Sequence, residues 1–194
     1  MVVLADPLGV LTGGPRRPGH LRRVGRGPVE GRVIRVRPAM PNDTTACGSL
    51  FAEAYADGDG FLTGPTEPRS FTLPPAIPDG PTALVAEIDG SVQGVVLIQG
   101  SALARLRHCR TIELVVARTA RGGGVGGALL DAALDSLRSR TGVQFVRLAV
   151  FVDNIPALTL YHSRGFIEEG RRIGFACEAD GRLRDDLLMV RTLP

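Results

Sequence analysis

The sequence predicts one α/β domain, a mixed and mostly antiparallel central sheet flanked by helices, and three observations carry that expectation. Two pairs of strand-like segments are each joined across an Asp-Gly step, Asp89-Gly90 and Asp180-Gly181, and such steps tolerate the positive φ angles of tight hairpins. Between two other strand-like stretches, Val125, Leu129, Ala133 and Leu137 recur at spacing four, the period of a helix with one apolar face. The resulting order, β-α-loop-β-β-β-α-β-α-β-β, places helices on the faces of one sheet. No internal repeat at a period of about 20–50 residues is visible.

Taken in order, Val33-Ile34-Arg35-Val36-Arg37 alternates as a half-buried strand does, and Pro38 ends it. Asn42 or Asp43 caps a helix through Phe51 and Tyr55, which Asp57-Gly58-Asp59-Gly60 stops. Residues 57–81 are rich in Gly, Pro, Ser and Thr and read as a long loop with room for a short helical turn, a length that usually marks function or mobility. Thr82–Ile88 and Val92–Gln99 form the first hairpin, and Arg110–Val116 the next strand. A helix follows over about 124–140, then Phe145–Val152, whose nearly continuous apolar run reads as a buried central strand. Asn154 is a natural N-cap, Pro156 sits in the first turn of the helix it opens, and Gly165 closes that helix. Residues 166–177 and 183–191 make the second hairpin.

Composition narrows the function classes. With 194 residues, 44% of them hydrophobic, the chain can bury the core of a single domain. All 23 basic residues are arginine, and eight of them fall within residues 1–37 against two acids there. The remainder carries 15 arginines and 18 acids, a slightly acidic balance that disfavours nucleic-acid phosphates and suits a cationic ligand. Residues 1–31, with seven glycines and four prolines, read as a flexible Arg/Gly/Pro-rich tail, which leaves 32–194 as the domain. The tail has no interleaved aromatics to stack on bases, so no specific nucleic-acid partner is expected. No apolar run approaches the roughly 18–20 residues of a membrane span, and the N-terminus lacks the basic start of a secretory signal, so the expected localisation is cytoplasmic. Cys47, Cys109 and Cys177 are dispersed, which argues against disulfides and zinc and reads as small buried hydrophobes. His20, His108 and His162 share no ligand spacing, and no metal is expected.

The most informative stretch runs from Thr111 to Leu130, where five of the six residues 122–127 are glycine. Lying between a strand and an amphipathic helix, such glycines leave successive N–H groups free to point at one anion, and the helix N-terminus adds about half a positive charge. A phosphate group is the expected ligand. A Walker loop needs a lysine and is excluded. A dinucleotide fingerprint is formally present at Gly122, Gly124 and Gly127, but Ala117–Arg121 separate it from the strand, and the nearest acid in a suitable place, Asp153, lies 31 residues after Gly122 instead of about 20. Binding of a nicotinamide nucleotide stays open as a minor reading. A third pattern, R-x-x-G-x-G, is filled by Arg121, Gly124 and Gly126.

That third pattern, five residues after a strand ending at Val116, resembles motif A of the GNAT superfamily of acyl-CoA-dependent N-acetyltransferases. The stretch from Arg147 to Phe166, with Asn154, Ala157, Tyr161, Gly165 and Phe166 in N-x-x-A-x-x-x-Y-x-x-x-G-F, resembles motif B. The ending, through Glu169-Gly170, Asp180-Gly181 and Asp186–Arg191, is similar to the branch of amino-acid and phosphinothricin acetyltransferases. The likeness covers about residues 33–193. Thr119 departs from it, at a position where proline or an acid is common, and five glycines are more than the motif requires.

The resemblance implies the GNAT fold, with the sheet splayed between its fourth and fifth strands, and acetyl-CoA as acyl donor. It implies that the backbone of Leu114, Val115 and Val116 pairs with the pantetheine arm. The N–H groups of Arg121, Gly122, Gly123, Gly124, Val125, Gly126 and Gly127 would then cradle the diphosphate, and Asn154 would also reach the cofactor. Tyr161 becomes the general acid for the leaving thiolate. Glu113 is the first candidate for the base and Asp153 a lesser one. The acceptor amine, attacking directly in a ternary complex, is expected beside the first helix and the 57–81 loop. There Glu53, Asp57, Asp59 and Glu67 either attract an ammonium group or form a solvated acidic face. The implied function is N-acetylation of a small amine or amino-acid-like molecule, with acetylation of a protein α-amine and non-catalytic acetyl-CoA binding as alternatives. The C-terminal hairpin offers an edge for a homodimer.

Overall fold

The computed structural model describes residues 32–58, 71–75 and 80–194. The expected tail at 1–31 and most of the 57–81 loop, including Asp59 and Glu67, lie outside the described residues. Seven strands form one sheet: β1 (Arg35–Pro38), β2 (Ala83–Ile88), β3 (Ser91–Gly100), β4 (Cys109–Val116), β5 (Phe145–Phe151), β6 (Ile167–Cys177) and β7 (Leu183–Thr192). Their spatial order is β1-β2-β3-β4-β5-β7-β6. Every pairing is antiparallel except β4 with β5. Three helices accompany the sheet, α1 (Thr44–Ala56), α2 (Val125–Arg138) and α3 (Ile155–Ser163). The predicted element order and hairpins are present. At the first hairpin both turn residues adopt positive φ, 51° at Asp89 and 79° at Gly90, the conformation that an Asp-Gly step accommodates.

The core lies on both faces of β2–β4. Val95, Val96, Leu97 and Ile98 are four successive buried residues, so β3 needs cover on each side. Helix α2 covers one face with Val125, Leu129, Ala133 and Leu137, all buried as their period predicts. Gly94 brings it close, since a Cβ there would stand 2.9 Å from Leu129 Cδ1. Helix α1 covers the other face with Cys47, Leu50, Phe51 and Ala54.

Several local expectations are corrected. Asp43 does not cap α1 through its side chain. Its carboxylate is taken by Arg37, at 2.7 and 2.9 Å, and by the Met40 N–H at 2.7 Å, because a guanidinium fork outcompetes a lone helical N–H for an ionised oxygen. Val33 is 73% exposed and precedes the strand, which begins at Arg35. Of the cysteines only Cys47 is buried; Cys177 is exposed, and the half-buried Cys109 accepts from Arg147 Nη1 at 2.9 Å. Among the described residues no helix is long and apolar enough to cross a membrane.

Candidate active site

Where β4 and β5 meet, their parallel pairing covers only Cys109–Thr111 against Phe145–Arg147. Beyond that point β4 stays bonded to β3 and β5 to β7. The edges of β4 and β5 that face each other are then without strand partners, and a cavity of about 710 Å³ opens between them. Leu114, Val115 and Val116 form one wall and Ala149, Val150 and Phe151 the other. Val146, Leu148, Val150 and Phe151 of β5 are buried, as expected of a central strand, whereas Ala149 is exposed and lines the cavity.

The glycine cluster forms one end of the cavity. A short turn (Arg118–Ala120) follows β4, and α2 begins after Gly124, whose φ of 87° is left-handed, as is the 74° of Gly122. A side chain at either position would be strained. The first bond of α2 runs from the Ala128 N–H to the Gly124 carbonyl at 3.0 Å, and no side chain caps the helix. The N–H groups of Gly122, Gly124, Val125, Gly126 and Gly127 accordingly have no acceptor among the described residues. Five free donors and the positive end of a helix dipole make an anion site. Two of the N–H groups that the resemblance assigns to the cradle are engaged within the chain. The Arg121 and Gly123 N–H groups bond back into the short turn, to the Arg118 and Ala120 carbonyls, each at 3.4 Å. Gly123 and Val125 do not line the cavity, whereas Arg121, Gly122, Gly124, Gly126 and Gly127 do.

Arg121 adds a positive rim and is itself held. Its Nε donates to the Val116 carbonyl at 3.2 Å, and its Nη2 lies 3.3 Å from Asp57, which also receives Arg118. The side chain of Asp57, at the end of α1, is only 9% exposed. Two guanidinium groups already compensate it, so Asp57 acts as a tether between α1 and the glycine loop. This corrects its expected role as a solvated acid or a ready ammonium site.

Across the cavity, α3 opens as predicted, with Asn154 Oδ1 accepting the Ala157 N–H at 3.2 Å. That bond leaves the side-chain amide nitrogen of Asn154, a cavity residue, without a partner among the described residues. Tyr161 lies further along α3, 7% exposed and lining the cavity. No hydrogen-bond partner for its hydroxyl exists among the described residues. Burial alone pushes its pKa up from 10 to about 12, so the phenol of this cavity residue stays protonated through neutral pH. Glu113 sits opposite Leu97 on β4, accepts from Gln99 Nε2 at 3.4 Å and does not line the cavity. Asp153 does line it, but Arg184 at 2.5 Å holds its carboxyl below the ordinary carboxylate range, which weakens it as a base. Sequence reasoning passed over Arg182, Arg184 and Glu178, which complete this end of the cavity. The clustering of arginines and acids on either side of Asp180-Gly181 was the available signal.

Residues 50–166 match the acetyltransferase (GNAT) family. The chain belongs to that family. Over 108 residues this GNAT chain is 32% identical to the L-amino acid N-acetyltransferase AaaT of Escherichia coli (strain K12), a span of 56% of this chain and 66% of that protein, just under two thirds of its length. Among solved structures it resembles a GCN5-related N-acetyltransferase from Kribbella flavida (TM-score 0.72, 27% identity, 82% and 98% of the two chains). It also resembles yncA from Salmonella typhimurium, solved with its cofactor acetyl-CoA (TM-score 0.68, 20% identity, 83% and 94%). The seven-stranded sheet with its flanking helices is thus the GNAT fold.

Proposed function

We propose that this protein transfers the acetyl group of acetyl-CoA to the primary amine of a small, amino-acid-like molecule, by direct attack within a ternary complex. One observation carries the reading: an anion cradle built from main-chain N–H groups and a protonated, unpartnered phenol open onto the same cavity. The 32% identity to an L-amino acid N-acetyltransferase supports the choice of acceptor.

Acetyl-CoA, when bound, supplies an activated thioester carbonyl for a neutral amine to attack. The residues present fit it. The free N–H groups of Gly122, Gly124, Gly126 and Gly127 hold the diphosphate beside Arg121, and the open edge of Leu114–Val116 offers main-chain partners to the amide-bearing arm. Asn154 contributes its free amide nitrogen. Tyr161 gives its proton to the departing thiolate; with a pKa near 12 it stays loaded across the neutral range. Glu113, set back from the cavity, takes the amine proton through water. Incubating the full chain with acetyl-CoA and a panel of amino acids and amines tests the proposal, with thiol release and the mass of the acetylated product as readouts. Calorimetric binding of NAD in place of acetyl-CoA refutes it, and so does cofactor binding without acetylation of any amine.

A further inference from the structure

Two arginines on the C-terminal hairpin line the cavity, and one of them has both Nη groups engaged. Arg184, in β7, has a side chain only 10% exposed. Its guanidinium donates to Asp153 Oδ1 at 2.5 Å, Glu178 Oε1 at 2.9 Å and the Gly58 carbonyl at 2.6 Å, and it lies 3.8 Å from the centre of the Phe151 ring. Arg182, in the turn before β7, differs in each respect. It lines the same cavity, yet its side chain is 61% exposed, and Asp153 Oδ2 at 3.9 Å is beyond hydrogen-bond reach. The turn beneath it is fixed. Gly181 adopts φ 82°, and its N–H donates to the Glu178 carbonyl at 2.9 Å. The Arg182 N–H donates to Asp180 Oδ1 at 2.9 Å, and the Arg182 carbonyl accepts the Glu178 N–H at 2.9 Å. A stiff backbone therefore carries a guanidinium whose donors have no hydrogen-bonded acceptor among the described residues.

Charge decides which ligand such a wall accepts. Arg182, Arg184, Asp153 and Glu178 sum to zero, so this end of the cavity favours neither a net cation nor a net anion. It suits a zwitterion. Arg184 has spent its Nη donors, whereas the planar fork of Arg182 matches both oxygens of a carboxylate. Resting on the acetyltransferase reading above, the geometry points to Arg182 as the residue that binds the α-carboxylate of an amino-acid acceptor and thereby selects amino acids over amines that lack one.

The test uses the full chain, acetyl-CoA, the common L-amino acids and the decarboxylated amine of each, with initial rates of thiol release. Arg182→Gln raises KM for the amino acids about 10- to 100-fold, the worth of a charge-assisted carboxylate contact, with kcat nearly unchanged. KM for the matching amines stays at its wild-type value, as does the melting temperature, because the side chain packs against little. Arg182→Lys, which keeps the charge and loses the fork, recovers part of the affinity. Equal changes in KM for amino acid and amine, or no change for either, overturn the inference. A wild type that acetylates the amines and not the amino acids overturns it too and leaves the acetyltransferase reading standing. A wild type that acetylates nothing in the panel overturns both.

Discussion

Replacing Tyr161 with phenylalanine separates a catalytic phenol from a packing aromatic, because the two roles predict opposite signatures. The ring is buried and leans toward Phe166, with 5.8 Å between centroids, a contact that phenylalanine retains. The oxygen makes no internal hydrogen bond, so its removal leaves stability within about 1 kcal/mol of wild type. A positioned proton donor contributes roughly 10²- to 10⁴-fold in rate, or about 3–5 kcal/mol on the barrier, and turnover should fall by that amount. Coenzyme A affinity should hold, since the cradle lies in the glycine loop and first turn of α2, and Asn154 at the N-cap of α3 is left in place.

Alkaline stability provides a second, independent readout. Burial raises the folded phenol from 10 to about 12, so its contribution is fully present below pH 10 and lost as pH climbs from 10 to 12. Between those values the unfolded chain has released a proton that the folded chain keeps, and the wild type loses about 3 kcal/mol. The phenylalanine variant lacks that loss. Thiol-release rates at saturating substrates, calorimetry with coenzyme A and unfolding at pH 7 and pH 11 complete the comparison. Unchanged turnover removes Tyr161 from the chemistry. A joint fall in melting temperature and cofactor affinity makes it a structural residue.

Three further outcomes follow from the same geometry. Gly124→Ala forces a side chain into a left-handed cap at φ 87°, which costs about 1–2 kcal/mol in thermal unfolding, and it weakens coenzyme A in calorimetry about tenfold or more; unaltered affinity excludes the loop from the cradle. Asp43→Asn leaves the Arg37 fork with Glu87 as its one carboxylate among the described residues and costs about 2 kcal/mol in denaturant unfolding at pH 7. Because Arg37 depresses the Asp43 pKa, that stability is present above the ordinary carboxylate value near pH 4 and lost as pH falls below it, so the variant also shows a shallower acid limb. Glu113→Gln lowers turnover about 100-fold while melting temperature and coenzyme A affinity persist. If single-turnover rates are unchanged, the amine proton leaves by another group.

What the sequence made legible was local chemistry with few alternatives. An Asp-Gly step has little choice but a tight hairpin, Asn154 before Ile155-Pro156 caps a helix, and glycines between strand and helix expose N–H groups. The splay was different: nothing in the residues of β4 and β5 says that their pairing stops after Thr111, because an apolar run reads alike whether its edge is bonded or open. It came from the family resemblance. The spending of N–H groups was equally hidden, since the short turn Arg118–Ala120 claims Arg121 and Gly123 by geometry and not by composition. Asp43 and Asp57 were misread for one reason. Each was judged by its neighbours in sequence, whereas each is owned by arginines that the fold brings to it.

Those arginines also explain how a cavity opened by breaking a sheet keeps its shape. The C-terminal end of α1 is gripped from two directions: Asp57 by Arg118 and Arg121 of the glycine loop, and the Gly58 carbonyl by Arg184 of β7. The first grip lies at the anion end and the second at the Arg182 end, so one helix terminus spans both halves of the cavity. A lysine could not substitute at position 184. Nη1 and Nη2 reach three acceptors at 2.5–2.9 Å while the guanidinium plane lies 3.8 Å from the Phe151 ring centre, and an ammonium group, though it has three donors, offers neither the plane nor the spread of the two nitrogens. With β4 and β5 unpaired beyond Thr111, no ladder of main-chain bonds sets the width of the gap there. Contacts of this kind, reaching from β7 and the glycine loop to the end of α1, set it instead.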